Sequence, residues 1–400
     1  MRAQDEHGGP VRAQDEHGSP LMPTYPPPPV TFVRGEGSRL FDTQGRSYLD
    51  FVSGVAVTSL GHAHPAVADA VAHQARTLLH VSNLYGTTVG LDVAATLDRL
   101  LGGGGQVFFC NSGAEANECA IKLARKWART AETGRHVVIT AERSFHGRTL
   151  ATLHATGQPA KHEAFQPLPA GFRHVPYGDL DALAAAVSVP DVAAVLLEAV
   201  QGEGGVWPAP SGYLEGTRRL CDEHRVLLML DEVQTGLGRT GRWFGFQHSG
   251  IRPDVVTMAK ALGNGVPIGA CWARIEVASA FVPGDHATTL GGQPLAASAA
   301  QAVLAVMEAE DVPARAERGG ARLAAGLAKL PGVVEVRGMG LILGAELGDR
   351  RARDVAAAAL GAGLLVNPVA PTTLRLLPSL LVTDAEIDEA LGILESVLDA

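Results

Sequence analysis

The chain has few of the features that mark secreted, membrane or nucleic-acid-binding proteins. Its 400 residues include four cysteines, irregularly spaced and without a CxxC pair, so neither a zinc site nor a disulfide framework is indicated. The longest uncharged apolar run, 355–366, is shorter than the roughly 20 residues that a membrane helix needs. Acidic residues outnumber basic ones by 42 to 33, which argues against a nucleic-acid surface. We therefore expect a soluble, cytoplasmic protein whose thiols are free and buried.

The N terminus carries a short duplication. RAQDEHGGP at 2–10 recurs as RAQDEHGSP at 12–20, with neither a helix nor a strand period and without the apolar stretch of a secretory signal. A single duplication is too short for a solenoid. We expect residues 1–21 to be a disordered leader that adds nothing to activity, with Met22 as a candidate physiological start.

The pattern of apolar runs predicts two domains. Short strands with Gly-containing turns follow Val30, and a helix is indicated over 65–79. Strand-like runs then alternate with helical stretches, which is typical of an α/β fold with a mostly parallel sheet and helices on both faces. These runs are QVFFC, HVVIT, AAVLLEAV, VLLML, DVVTMA and GACWA. We predict an N-terminal segment of the small domain at 22–75, a large cofactor-binding domain at 76–294 and a small C-terminal α+β domain at 295–400.

Two polar residues follow buried runs directly. Asp231 comes after VLLML, and Lys260, 29 residues later, comes after VVTMA. A pyridoxal-phosphate enzyme needs a lysine amine for a Schiff base and a carboxylate that keeps the pyridine nitrogen protonated. Each residue also has a simpler interpretation, since turn N–H groups or Arg239 could satisfy Asp231, and Lys260 could extend to solvent. The two together favour a pyridoxal-phosphate site.

A strand-to-helix junction offers a place for a phosphate. In QVFFCNSGAEANECAIKLARKW, Ser112 and Glu115 have the spacing of a capping box. Free N–H groups and the helix dipole at such a start favour an anion, although Ser112 could serve only as a cap. The motif GHAHP at 61–65 lacks the carboxylates or cysteines of a metal site, so we expect a turn before a helix there and no metal.

The motifs together resemble a known family, the class III (ω-amino acid) aminotransferases of fold type I. The similar segments, in order, are NSGAEANECAIKLAR, SFHGRT, LEAVQGEGGV, LDEVQTGLGRTG, MAKALGNGVPIGA and TTLGGQPLAASAA, and the likeness extends from about Pro23 to the C terminus. The resemblance implies pyridoxal 5'-phosphate as cofactor and a homodimer with shared active sites. Within the family, SNLYG and NSGAEANE are most similar to members that act on N2-acetylornithine in arginine biosynthesis.

The resemblance also implies roles in cofactor binding. Lys260 would form the Schiff base and then act as the general acid and base, which requires a lowered lysine pKa. Asp231 would pair with the pyridine nitrogen. Phe145, which could also be a plain core residue, would stack on one face of the ring. The other expected contacts are Val233 on the opposite face, Gln234 at the ring hydroxyl, and Ser112, Gly113, Ala114 and the neighbouring subunit's Thr289 at the phosphate.

Arginines would decide the substrate class, because a guanidinium binds a carboxylate through two parallel hydrogen bonds. Arg375 matches the family arginine that binds the α-carboxylate of glutamate or 2-oxoglutarate, with a strand-surface charge as the alternative. Glu203 matches the glutamate that pairs with this arginine when an ω-amine donor is bound. Arg148 would take the far carboxylate of acetylornithine, and Asn83 and Tyr85 would border the substrate.

The chain departs from the family pattern near the substrate. GTTV at 86–89 stands where relatives commonly have a tyrosine-like residue and a Glu-Pro pair, and Leu290 and Gln293 stand where Phe and Asn are frequent. The expected reaction is a ping-pong transfer of the δ-amine of acetylornithine to 2-oxoglutarate. Ornithine, succinylornithine, acetyl-lysine and 4-aminobutyrate are alternative donors. A cofactor-binding partner protein without catalysis is the alternative of another class, which the combination of Lys260, Asp231 and Arg375 disfavours.

Overall fold

The computed structural model of the protein describes residues 21–131 and 133–399. The leader at 1–21, for which we predicted disorder, lies outside these described residues except for Leu21. Within the two ranges, no helix combines the length and apolar character needed to cross a membrane. All four cysteines are buried free thiols, as predicted.

The secondary structure follows the predicted alternation closely. The strands are β1 (Phe32–Glu36), β2 (Arg39–Asp42), β3 (Ser47–Asp50), β4 (Gly105–Cys110), β5 (Val137–Ala141), β6 (Phe172–Val175), β7 (Val192–Glu198), β8 (Val200–Gln201), β9 (Trp207–Pro208), β10 (Leu227–Asp231), β11 (Val255–Met258), β12 (Gly269–Arg274), β13 (Glu335–Met339), β14 (Ile342–Glu346), β15 (Leu364–Leu365), β16 (Asn367–Pro368) and β17 (Thr373–Leu376). The helices are α1 (Ser53–Ala56), α2 (Pro65–Thr77), α3 (Thr88–Leu100), α4 (Gly113–Thr130), α5 (Leu150–Ala155), α6 (Leu180–Val187), α7 (Tyr213–His224), α8 (Ile275–Ala278), α9 (Pro294–Ala309), α10 (Val312–Leu327), α11 (Ala352–Ala362) and α12 (Asp384–Asp399). Short 3-10 turns occur at Pro159–Lys161, Glu163–Phe165, Gly245–Ser249 and Lys260–Gly263.

The central sheet is mostly parallel. Its seven strands have the order β4-β12-β11-β10-β7-β5-β6. Only β12 is antiparallel to its neighbours β4 and β11, and the other pairings are parallel. Strand β7 is buried at every position, as expected for a parallel strand covered on both faces.

Side chains that alternate along a strand separate the two faces of this sheet. Leu228 and Leu230 of β10 belong to an apolar cluster that includes residues of α7 and α9. Their neighbours Leu227 and Met229 belong to a second cluster with residues of α4. Because successive side chains of a strand point to opposite faces, helices cover both faces of the sheet. The predicted fold class is confirmed.

Smaller sheets combine the two ends of the chain. Strands β1, β2 and β3 from the N-terminal part form a sheet with β15, which pairs parallel to β3. Strands β13, β14, β17 and β16 form a second sheet, and β8 and β9 pair with each other. The helical stretch predicted after Pro294 is interrupted between α9 and α10, where Asp311 has a φ of 46°. Helix α3, which was not predicted, begins within GTTV.

A buried arginine connects these segments. Arg239 is 1% exposed, and its guanidinium donates to the carbonyl oxygens of Leu341 at 3.0 Å and Pro378 at 2.6 Å and to the hydroxyl of Ser59 at 3.2 Å. Burial lowers the pKa of Arg239 to about 9. Arg239 therefore forms hydrogen bonds to three distant chain segments. It is not the partner of Asp231, which the sequence had left open.

We expect the substitution Arg239→Ala to lower the free energy of unfolding by on the order of 3 kcal/mol, because it leaves buried acceptors unpaired and opens a cavity. Arg239→Lys keeps a donor and should lose less. The midpoint of urea unfolding, followed by circular dichroism, measures the effect. Arg353→Ala, at an exposed position of α11, is the control. Equal midpoints for Arg239→Ala and Arg353→Ala would contradict the connecting role of Arg239.

Candidate active site

A cavity of about 400 Å³ opens where β10 and β11 end. In the parallel pairing of these strands, Asp231 lies opposite Thr257, and Lys260 follows three residues later. Both side chains therefore leave the sheet at the carboxyl ends of neighbouring strands, where ligands bind in open α/β sheets.

The structure brings most of the predicted site residues together. Those that line the cavity are Ser112, Gly113, Ala114, Phe145, Arg148, Glu203, Asp231, Val233, Gln234 and Lys260. Arg375 is buried directly behind Glu203, to which it is ion-paired. Thr289, Asn83 and Tyr85 lie outside the lining of this cavity.

Asp231 accepts hydrogen bonds from three donors. One carboxylate oxygen accepts a hydrogen bond from the amide of Asn117 at 2.7 Å. The same oxygen lies 2.8 Å from Nδ1 of His146, which is the donor because a carboxylate oxygen only accepts. The other oxygen accepts from the backbone N–H of Val233 at 3.0 Å. No lysine or arginine within the described part of the chain pairs with Asp231. A nearly buried carboxylate without such a partner, facing a cavity, fits a cationic nitrogen of a ligand.

Lys260 combines a strained backbone with a shifted pKa. Its φ of 44° is unusual for a residue with a side chain and is found at functional sites. Burial lowers its pKa to about 8. Glu203, Asp231 and Glu198 act in the opposite direction, and Arg375 adds to the lowering. On the order of a tenth of the amine is therefore unprotonated, and nucleophilic, at pH 7, far more than for an ordinary lysine.

The start of α4 forms an anion cradle. Ser112 caps the helix by accepting the N–H of Glu115 at 3.2 Å, and Glu115 in turn accepts the N–H of Asn111 at 2.5 Å rather than that of Ser112. The N–H groups of Gly113 and Ala114 have no acceptor among the described residues. A Cβ at Gly113 would approach Val233 to 2.7 Å, so glycine keeps the cradle open. Ser112 is thus a helix cap, and the free N–H groups beside it fit a phosphate.

Glu203 and Arg375 form an ion pair at 2.6 Å. Gln234 bridges the pair, because it accepts from Arg375 at 3.3 Å and donates to Glu203 at 3.4 Å. The second guanidinium nitrogen of Arg375 donates to Asn367 at 2.7 Å. Burial alone would raise the pKa of Glu203, but Arg375 and Lys260 outweigh burial and hold that pKa below its ordinary value. Arg375 is only 1% exposed, so it is not a strand-surface charge.

Another carboxyl group supports the Phe145 loop. Glu198 accepts the backbone N–H of Phe145 at 3.2 Å and lies opposite Asp231 in the pairing of β7 with β10. Burial and then the nearby charge of Asp231 raise the pKa of Glu198 well above its ordinary value. The protonated form of Glu198 is therefore favoured relative to that of an ordinary glutamate.

Three predicted residues lie on a separate concave surface formed by the segments 82–94 and 283–293. Asn83 donates to the carbonyl oxygens of Thr288 at 3.0 Å and Gly291 at 3.3 Å. Thr289 and Tyr85 lie along the same surface. Large apolar side chains are exposed here, namely Leu84, Tyr85, Leu91 and Leu290. Within one copy of the chain, Thr289, Asn83 and Tyr85 do not join the cavity.

Several polar residues around the cavity were missed from the sequence. Asn117 is a polar residue on the buried face of α4, and this pattern could have identified it because buried polar groups require partners. His146 stands beside Phe145 in a motif already singled out. Glu198 ends a fully buried strand. Asn367 reaches Arg375 only through the pairing of β16 with β17, which the sequence does not reveal.

Comparisons with known proteins agree with this geometry. The model of the family "Aminotransferase class-III" matches residues 22–398. The acetylornithine aminotransferase of Gloeobacter violaceus is 53% identical over 383 residues, which cover 94% of this chain and 95% of the relative. The enzyme of the same name from Corynebacterium efficiens is 50% identical over 387 residues, with 94% of each chain covered.

Solved structures show the same fold. The ornithine aminotransferase of Toxoplasma gondii superposes with a TM-score of 0.90 at 35% identity, covering 94% of this chain and 92% of that one. The N-acetylornithine aminotransferase of Stenotrophomonas maltophilia gives a TM-score of 0.82 at 40% identity, covering 94% and 96%. The family predicted from the sequence motifs is confirmed, and the chain belongs to the class-III aminotransferases.

Proposed function

We propose that the protein transfers the δ-amine of N2-acetyl-L-ornithine to 2-oxoglutarate, with pyridoxal 5'-phosphate as cofactor. The products are N-acetyl-L-glutamate 5-semialdehyde and L-glutamate. The observation that carries the proposal is the Glu203–Arg375 ion pair in the cavity of Lys260 and Asp231, because it offers one site for two kinds of substrate. The names and the roughly 50% identity of the relatives favour acetylornithine as the donor.

The residues of the cavity fit this cofactor. Bound pyridoxal phosphate supplies an aldehyde that reacts with amines and a ring that accepts electrons. Asp231 would neutralise the protonated ring nitrogen, the N–H groups of Gly113 and Ala114 would bind the phosphate, and Phe145 and Val233 would enclose the ring. Gln234 would contact the ring hydroxyl and Ser112 the phosphate. Lys260 would hold the cofactor and, once displaced, move a proton between the substrate carbon and the cofactor.

The charges suggest how two substrates use one site. Acetylornithine has a single carboxylate, which Arg148 would bind at the cavity mouth, far from the δ-amine. Arg375 then stays paired with Glu203. When 2-oxoglutarate enters, Glu203 would release Arg375 to bind the α-carboxylate through two hydrogen bonds.

We also propose a cytoplasmic homodimer. The exposed apolar side chains of the 82–94 and 283–293 surface support it, because such a patch marks an interaction site. In a dimer, Thr289 would complete the phosphate site of the neighbouring subunit, and Asn83 and Tyr85 would border a substrate pocket. The pairing of β15 with β3 supports the division into a small domain from 22–75 and 295–400 and a large domain from 76–294.

A panel of amine donors at fixed 2-oxoglutarate tests the proposed function. We expect the purified protein to show the highest kcat/KM with acetylornithine, measured as glutamate formed. Ornithine is the main competitor, since an ornithine aminotransferase superposes with a TM-score of 0.90. Succinylornithine, acetyl-lysine and 4-aminobutyrate complete the panel. A higher kcat/KM with any other donor would replace acetylornithine, and no glutamate with every donor would favour a non-catalytic partner protein.

Removal of Arg375 should separate the two half-reactions. In Arg375→Ala we expect the rate constant with 2-oxoglutarate to fall by roughly 100-fold or more, because the variant loses a bidentate, charge-assisted contact with the α-carboxylate. The half-reaction with acetylornithine should fall much less. Stopped-flow absorbance of the cofactor measures each half-reaction separately, and Arg353→Ala is the matched control. Equal losses in both half-reactions would contradict the two-substrate role.

The lowered pKa of Lys260 can be measured directly in cofactor-free protein. We expect trace acetylation, read by mass spectrometry across a pH series, to reach half of its maximum for Lys260 near pH 8. The reason is that burial favours the neutral amine, which alone reacts. The exposed Lys329 serves as the internal reference. Labelling of the two lysines with the same pH profile would refute the shift.

A further inference from the structure

Two cations lie beside the same aromatic ring at the cavity. The guanidinium carbon of Arg148 is 5.6 Å, and the ammonium nitrogen of Lys161 is 5.3 Å, from the ring centroid of Phe145. Phe145 and Arg148 both line the cavity. Lys161 comes from a different segment, the 3-10 turn Pro159–Lys161, and was not identified from the sequence.

The position of Lys161 is built into the fold. Its segment packs against the loop that carries Phe145, because the N–H of Gly157 donates to the hydroxyl of Ser144 at 2.9 Å and the amide of Gln158 donates to the carbonyl oxygen of Ser144 at 2.9 Å. A Cβ at Gly157 would approach the carbonyl oxygen of Ala141 to 2.0 Å, so only glycine permits this contact. The backbone packing of its segment thus places Lys161 beside Phe145.

Neither cation has a carboxylate partner within residues 21–131 and 133–399. No ion pair of Arg148 or Lys161 occurs among the residues that the structure describes, and the ammonium of Lys161 donates only to the neutral side-chain oxygen of Gln158. Burial lowers the pKa of Lys161, and repulsion from Arg148 lowers it further, while Glu203 raises it. The charge of Glu203 is itself balanced by Arg375 at 2.6 Å. This side of the cavity therefore has positive charge in excess.

We propose that Lys161 and Arg148 together bind the far carboxylate of the substrate, so that Lys161 is a second specificity-determining cation. The inference rests on the proposed function, because it concerns a substrate whose reacting end lies at Lys260. An anion placed between the two cations relieves their repulsion and replaces the hydrogen bond from Lys161 to the neutral oxygen of Gln158. The flexible stem of lysine lets its charge follow the different far carboxylates of acetylornithine and 2-oxoglutarate, while the guanidinium of Arg148 supplies the fixed fork.

A structural role makes a different prediction. If Lys161 only supports the ring of Phe145, its loss changes the cofactor environment for every substrate alike. If it binds a carboxylate, the loss depends on whether the ligand has one. The matched donors are acetylornithine and N-(4-aminobutyl)acetamide, which is acetylornithine without its carboxylate.

The test compares Lys161→Met, Lys161→Arg and the control Lys329→Met in the cofactor-loaded protein. We expect Lys161→Met to weaken the binding of glutarate, a non-reacting dicarboxylate, by roughly tenfold when titrated by calorimetry. The apparent affinity for acetylornithine in the half-reaction should fall similarly, that for aminobutylacetamide much less, and Lys161→Arg should restore most of the loss. Lys329→Met should match the unmodified protein.

Two results would overturn the inference. One is an unchanged glutarate affinity in Lys161→Met, and the other is an equal loss with both donors, which would assign Lys161 to packing. Failure of the proposed function is distinguishable, because in that case the unmodified protein itself would not react with acetylornithine. The glutarate titration would still decide the role of Lys161.

Discussion

The parallel pairing of β10 with β11 is the constraint on which the site depends. Because Asp231 ends one strand and Lys260 follows the next, the pairing brings a carboxylate and an amine to one edge of the sheet. Strand β4 has the same direction, so the free N–H groups at the start of α4 reach this edge as well. Strand β12 lies between β4 and β11, is antiparallel to both, and begins at the edge where they end. Its first residue, Gly269, has no Cβ, and the carbonyl oxygen of Ser112 lies 2.5 Å from the position that a Cβ would take. The strand pairing that packs the sheet therefore also positions the polar groups of the site.

Three carboxyl groups in this small volume differ because their surroundings differ. Asp231 accepts hydrogen bonds from Asn117, His146 and a backbone N–H. Glu198 lies opposite Asp231 in the neighbouring strand, and burial and then the charge of Asp231 raise the pKa of Glu198 well above its ordinary value. Glu203 stays charged because Arg375 faces it. The three carboxyl groups thus have different partners: Asp231 has three hydrogen-bond donors, Glu203 has Arg375, and Glu198 has the backbone N–H of Phe145.

Much of this arrangement could be predicted from the sequence, and the remainder depends on long-range pairing. Apolar runs followed by Asp231 and Lys260 located the ends of two strands, and the Ser112 motif located a helix start. Periodicity does not give strand direction, so the reversal of β12 was not visible. Asn367 contacts Arg375, 8 residues away in the chain, through sheet pairing. Lys161 contacts Phe145, 16 residues away, through loop packing. No local sequence pattern records either contact. Thr289 and Tyr85 matched motifs and lie outside the cavity of their own chain.

Arg375 and Glu203 differ in how firmly their side chains are held, and this difference decides how one cavity can serve two substrates. Arg375 is fixed, since its side chain is 1% exposed and bonded to Asn367, whereas the side chain of Glu203 is 30% exposed. Any exchange at this pair must therefore move the glutamate and leave the arginine in place. In the proposed mode of binding, a donor with one carboxylate would need only the cations beside Phe145 and would leave the pair intact. A dicarboxylate has a second anion that can replace Glu203, and the exposed carboxylate can then regain solvation in water, which lowers the cost of separating the pair.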